Sequence, residues 1–175
     1  MHHRIIVCGG NGAGKSTLGK ALAQALSLPF LDIEDYYFPK TDPRYLYAVQ
    51  RSTGEAISLL QRDVEQTDGF VLAAVKADYS PGISGRFTCA VFVDVPKETR
   101  MQRVRQRSYG KFGDRMLPGG DLYSREQRFF ELVESRTEDP IHSWLAGLSI
   151  PVLTVDGCRP PQENVQTVID SLPRI

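Results

Sequence analysis

Gly9-Gly10-Asn11-Gly12-Ala13-Gly14-Lys15-Ser16-Thr17 fits the pattern G-x-x-x-x-G-K-[ST] without a mismatch. It lies between a short β-branched run, Arg4 to Cys8, and a segment of helical periodicity, Lys15 to Leu26. Glycines allow backbone torsions that a Cβ forbids, so successive N–H groups turn inward and form a nest for a phosphate at a helix N-terminus. A turn that merely joined strand to helix would gain nothing from Lys-Ser after the last glycine. The motif therefore predicts an ATP site built from Gly9, Asn11, Gly12, Ala13, Gly14, Lys15, Ser16 and Thr17, with Lys15 bridging the β- and γ-phosphates and the Ser16 hydroxyl ligating Mg²⁺.

Outward from this loop, short apolar strands alternate with helices. Phe30 to Ile33, Phe70 to Val75, Ala90 to Val95 and Pro151 to Val155 read as further strands, with no polar residue in Phe70 to Val75 and only Asp94, near its end, in Ala90 to Val95. Helices are expected over Lys15 to Leu26, Gly54 to Val64, the segment after Pro96, Ser124 to about Glu138, and Pro161 to Leu172. The alternation predicts a three-layer α/β/α fold: a parallel sheet of about five strands, helices on both faces, and a lid insertion. One domain, 1–175, is expected, with a core of about 1–33, 65–107 and 148–175, an acceptor-binding region of about 34–64, and a lid and following helix of about 108–147.

The bulk composition excludes several classes. The 175 residues are 41% hydrophobic and 24% charged, the balance of a globular domain with a substantial core. Lys plus Arg equals Asp plus Glu at 21 each, so no bulk field draws the chain to nucleic acid or an anionic membrane. Ile5-Ile6-Val7-Cys8 is too short for an export signal, no run approaches a membrane span, and the chain is expected to be cytoplasmic. Cys8, Cys89 and Cys158 have no metal-site or redox spacing, and the first two sit in apolar runs as buried, reduced residues.

Asp32, Glu34 and Asp35 follow the second strand, at the carboxyl edge of the sheet where open α/β folds bind ligands. Asp32 is a candidate for the Mg²⁺ shell, and Asp32 or Asp35 for accepting a proton from a substrate hydroxyl, against the plainer alternative of solvated or capping acids. The third strand carries no acid at its tip, so metal binding is expected to rely on Ser16 and the acids after the second strand.

Between Arg100 and Arg115 the bases are Arg100, Arg103, Arg105, Arg107, Lys111 and Arg115, against the single acid Asp114. Arg103 and Arg107 share a helix face with Arg100 close to it, while Arg105 points away. Such a face can clamp phosphates or stack on adenine, or it can be ordinary solvated surface. The glycine-bearing stretch Tyr109 to Arg115 reads as a mobile lid that carries Arg115 to the γ-phosphate.

The loop GGNGAGKST, the strand end LDIED, the strand VFVDVP with its R-x-x-x-R helix, and the closing VLTVDG together resemble the adenylate-kinase and shikimate-kinase branch of P-loop kinases over nearly the whole chain. The segment RMLPGGDLYSREQRFFE, Arg115 to Glu131, resembles small kinase-like ATPases of the AAA type within that branch. The resemblance implies lid arginines that contact ATP at Arg103, Arg107 and Arg115, an adenine-side loop at Gly157, and an acceptor region whose tyrosines and Arg44, Arg51 and Arg62 touch substrate. It also implies a monomer or weak dimer. Two departures stand out: no D-G or G-G signature ends the third strand, and no acceptor pattern for nucleoside monophosphates or shikimate is present.

The expected activity is ATP-dependent transfer of a phosphoryl group to a small-molecule acceptor, a nucleotide, nucleoside or hydroxylated metabolite. Catalysis is expected to rest on Lys15, Asp32, Asp35, Arg107 and Arg115. A nucleotide-dependent switch and a nucleic-acid end kinase are the competing classes, the second opposed by the neutral charge.

Overall fold

The computed structural model describes residues 2–173. Five parallel strands form one sheet in the order β2-β3-β1-β4-β5, with β1 Arg4–Cys8, β2 Phe30–Asp32, β3 Phe70–Ala73, β4 Cys89–Asp94 and β5 Val152–Asp156. Because side chains alternate along a strand, each central strand serves two cores. Ile6, Cys8, Phe70, Leu72, Ala90 and Phe92 face one layer. Ile5, Val7, Val71, Cys89, Val91 and Val93 face the other.

Helix α1 (Lys15–Leu26) covers the second face with Leu18, Leu22 and Ala23, beside the C-terminal helix Pro161–Ser171, which adds Val168. On the first face lie Leu60 and Val64 from the helix Thr53–Glu65 and Ile141 and Leu145 from the helix Asp139–Ala146. The helix Thr53–Glu65 starts at a capping box in which Ser52 and Glu55 satisfy each other's backbone N–H groups. This is the three-layer α/β/α arrangement expected from the alternation of elements.

A third apolar cluster joins Tyr45, Met101, Val104, Phe112, Met116, Leu122, Phe130 and Val133. It ties the long helix Lys97–Phe112 to the helix Tyr123–Ser135 and to the irregular segment before Ser52. Tyr109 to Phe112 is not a glycine loop but the last turn of the helix, which continues through Gly110 to Phe112 before a short 3-10 turn, Gly113–Met116. The cost of about 1 kcal/mol for glycine inside a helix is outweighed by burial of Phe112 against Tyr45. The helix expected to reach Glu138 ends at Ser135, and a separate helix, Asp139–Ala146, starts with Pro140 in its first turn.

Candidate active site

The phosphate-binding loop leaves β1 and enters α1 through Gly14, which takes a left-handed conformation (φ 95°). Gly12 is also at positive φ, and a Cβ there would run into the Arg100 carbonyl, so the loop and the start of helix Lys97–Phe112 pack backbone to backbone. Gly9 N–H donates to the Val75 carbonyl at 3.2 Å, fixing the loop to the chain just past β3.

Lys15 Nζ donates to the Gly10 carbonyl at 2.9 Å. Its pKa is pushed down from 10.5 to about 8, chiefly by burial, with Arg107 adding to the effect and Asp32 opposing it. Ser16 Oγ donates to Asp32 Oδ2 at 2.5 Å. The other Asp32 oxygen accepts from Glu34 N–H at 3.0 Å and caps the short helix Ile33–Tyr37. Asp32 thus caps the helix Ile33–Tyr37 with one oxygen and accepts from the Ser16 hydroxyl with the other.

Lys15, Ser16, Asp32, Glu34, Arg107 and Arg136 line a cleft of about 360 Å³ above the loop. Glu34, Arg107 and Arg136 also line a second cavity of about 520 Å³, walled by Phe38, Tyr45, Tyr47 and Phe129. The two spaces share a wall. On the other side of the loop, Ala13, Thr17, Arg103 and Gly157 border a smaller cavity of about 210 Å³. Arg103 Nη1 donates to the Gly157 carbonyl at 3.0 Å, so it braces the loop after β5.

Other predicted site residues lie elsewhere. Arg115 forms a bidentate pair with Asp121 at 2.9 and 2.7 Å and donates to the Arg44 carbonyl at 2.5 Å; it lines neither the cleft nor the second cavity. A helical Tyr109 to Phe112 removes the mobile loop that was to carry it to the phosphate. Asp35 is exposed and engaged by Lys40, and it too lines neither space. Arg100 belongs to the interior: 5% exposed, it donates from Nε to the Val95 carbonyl at 3.0 Å and pairs with Glu138 at 3.3 Å. Arg51 and Arg62 serve the Tyr36 carbonyl and Asp63, and Arg44 pairs with Asp42.

Arg136 was missed. It follows the helix Tyr123–Ser135, and its Nη1 donates to Asn11 Oδ1 at 2.9 Å, placing a cation on the phosphate loop from 125 residues away in sequence. Glu126 was missed as well: it is 2% exposed and accepts from the Tyr45 hydroxyl at 3.1 Å. Either residue reads in sequence as one charged position on an amphipathic helix or its end, so only the fold gives the signal.

The profile of the family described as "AAA domain" matches residues 5–128. The chain belongs to this family. This AAA-domain chain is 28% identical over 180 aligned residues to the "Uncharacterized protein YqaC" of Bacillus subtilis (strain 168), covering 98% of each chain. Among solved structures it is similar to a putative kinase from Chloroflexus aurantiacus J-10-fl, with a TM-score of 0.61, 20% identity, and coverage of 98% and 96% of the two chains. It is also similar to a gluconokinase from Sinorhizobium meliloti 1021, with a TM-score of 0.59, 17% identity, and coverage of 97% and 91%. The fold of the AAA-domain chain is thus that of P-loop kinases. Among the described residues no helix is long and apolar enough to cross a membrane.

Proposed function

We propose that this protein is a small-molecule kinase that transfers the γ-phosphoryl group of ATP to an acceptor held in the aromatic cavity. One observation carries the proposal: the cleft over the phosphate loop and the second cavity meet along Glu34, Arg107 and Arg136. A donor phosphate in the cleft and an acceptor hydroxyl in the cavity therefore come within reach of the same side chains, as transfer by positioning requires. The kinase names carried by proteins of the same fold agree with this reading.

The Ser16 hydroxyl and the Asp32 carboxylate are hard oxygen donors 2.5 Å apart, and they fit Mg²⁺, which takes one or two protein oxygens plus phosphates and water. Among the described residues no cluster of three or more His, Cys, Asp or Glu could hold a metal. Bound Mg²⁺ would neutralise phosphate charge. The chain's own residues do the rest. Loop N–H groups and Lys15 hold the β- and γ-phosphates, and Arg107 and Arg136 stabilise charge on the transferred group. Arg103 holds the Gly157 loop on the adenine side. Glu34, on the shared wall, takes the acceptor's hydroxyl proton in the role that sequence assigned to Asp32 or Asp35.

The test is ADP release from ATP·Mg²⁺ with and without a panel of nucleosides, nucleoside monophosphates and hydroxylated metabolites. Stimulation by one compound, abolished in Lys15→Ala, supports the kinase. A slow rate indifferent to every acceptor class would replace it with a nucleotide-dependent switch.

A further inference from the structure

Six charged side chains line the aromatic cavity: Glu34, Arg107, Lys111, Arg125, Glu126 and Arg136. Arg107 and Arg136 also face the phosphate cleft, where the donor's negative charge would lie. Glu34 faces both spaces, and with Lys111, Arg125 and Glu126 it makes two opposite-charge sets, each built around a tyrosine. Lys111 donates to the Tyr47 hydroxyl, which donates to Glu34 at 2.8 Å. Arg125 lies over the Tyr45 ring at 4.6 Å, and the Tyr45 hydroxyl donates to Glu126 at 3.1 Å.

Glu126 is the less satisfied of the two acids. It is 2% exposed, its Oε1 has Tyr45, and its Oε2 is buried with no hydrogen-bond partner among the described residues. A carboxylate only accepts, so the group that completes it must donate. An anionic group brought near it would be repelled, and in a low-dielectric wall that repulsion is strong. The rings of Phe38, Tyr45 and Tyr47 pack edge to face, with centroids 5.2 and 5.7 Å apart, and give the cavity apolar walls for a flat molecule.

We infer that the acceptor is an uncharged ring compound rich in hydroxyl or amine donors, a nucleoside or a free sugar, and that Glu126 selects it by accepting one of those donors. The inference rests on the kinase reading of this site. It excludes acceptors that already carry a phosphate or carboxylate. Their charge would fall to Arg107 and Arg136, which the donor phosphates engage at the shared wall, because Lys111 is joined through Tyr47 to Glu34 and Arg125 is stacked on the Tyr45 ring.

The experiment measures acceptor-dependent ADP release and, by calorimetry, acceptor binding in three arms: nucleosides, free pentoses and hexoses, and anionic compounds (nucleoside monophosphates, gluconate and shikimate). The expected result is stimulation and binding by a member of one uncharged arm, the responding arm distinguishing nucleoside from sugar. In Glu126→Gln the KM and Kd for that compound should rise by about 10-fold or more, the range of a hydrogen bond to a charged group, while the KM for ATP stays the same. If Glu126→Gln does not fold, Glu126→Asp, which keeps the charge but draws it back by one methylene, reads the same KM. Stimulation confined to the anionic arm overturns the inference and leaves the kinase standing. So does an uncharged acceptor whose KM and Kd ignore the Glu126 variants. No stimulation in any arm overturns the kinase reading and this inference with it.

Discussion

Ser16 and Asp32 are joined hydroxyl to carboxylate at 2.5 Å across sixteen positions of sequence, and the second Asp32 oxygen caps the helix that brings Glu34 to the cavity. Asp32→Asn separates these two roles, because the amide oxygen can still cap while the charge is lost. The variant should melt close to wild type, require more Mg²⁺ and turn over about 10²-fold more slowly. Asp32→Ala should in addition lose about 1 kcal/mol of stability with the cap. Mg²⁺ titrations of initial rate, beside thermal melts, check both.

Lys15 carries a pH signature. With the folded pKa at about 8 and the ordinary value at 10.5, the unfolded chain binds more protons between those values, so the nucleotide-free protein should gain stability as pH rises through that window. Phosphates favour the charged amine. Nucleotide affinity should therefore fall as pH rises above about 8, and binding there should take up protons. Calorimetry of ATP binding in buffers of different ionisation enthalpy measures that uptake. A pH-independent affinity would remove Lys15 from the phosphate contacts.

Arg107 helps to depress the Lys15 pKa, so the two predictions are coupled. Arg107→Ala should move the fall in affinity to higher pH. It should also reduce turnover by about 10- to 100-fold if the guanidinium stabilises charge on the transferred phosphate. Arg103→Ala should raise the KM for ATP with little change in kcat, because its hydrogen bond to the Gly157 carbonyl braces that loop beside the smaller cavity.

Arg100→Ala should act on stability. It removes the partner of Glu138 and the donor to the Val95 carbonyl from a site where the arginine is 5% exposed, and a cost of about 3 kcal/mol is expected from denaturant melts. Arg105→Ala, whose pair with Glu134 is on the surface, should change stability by less than about 0.5 kcal/mol.

What could be read in the sequence follows from the range of each signal. The phosphate loop is contiguous, and the central strands are apolar on both faces, so loop, sheet and layers were all legible. The arginine helix was legible only as a periodicity. Spacing places Arg100, Arg103 and Arg107 near one face but does not say what lies opposite each. Opposite lie Glu138 for Arg100, the Gly157 carbonyl for Arg103 and the cleft for Arg107. Gly110 suggested a loop because its cost is local, whereas the burial of Phe112 that overrides it depends on Tyr45, more than sixty residues earlier. The helix expected to run to about Glu138 stops at Ser135, and Pro140 sits in the first turn of a separate helix. Arg136 and Glu126 have no local pattern at all; their places are made by how the helix Tyr123–Ser135 packs.

None of the residues that line the aromatic cavity comes from the five strands; apart from Asn11 they lie in the segments 34–50 and 107–136. On the proposed function, the segments that would recognise an acceptor are thereby separated from those that make the chain fold around the nucleotide loop. Mutations in those segments can exchange one acceptor for another without disturbing the sheet. A lineage built on this plan could diversify its substrates while inheriting its phosphate chemistry unchanged.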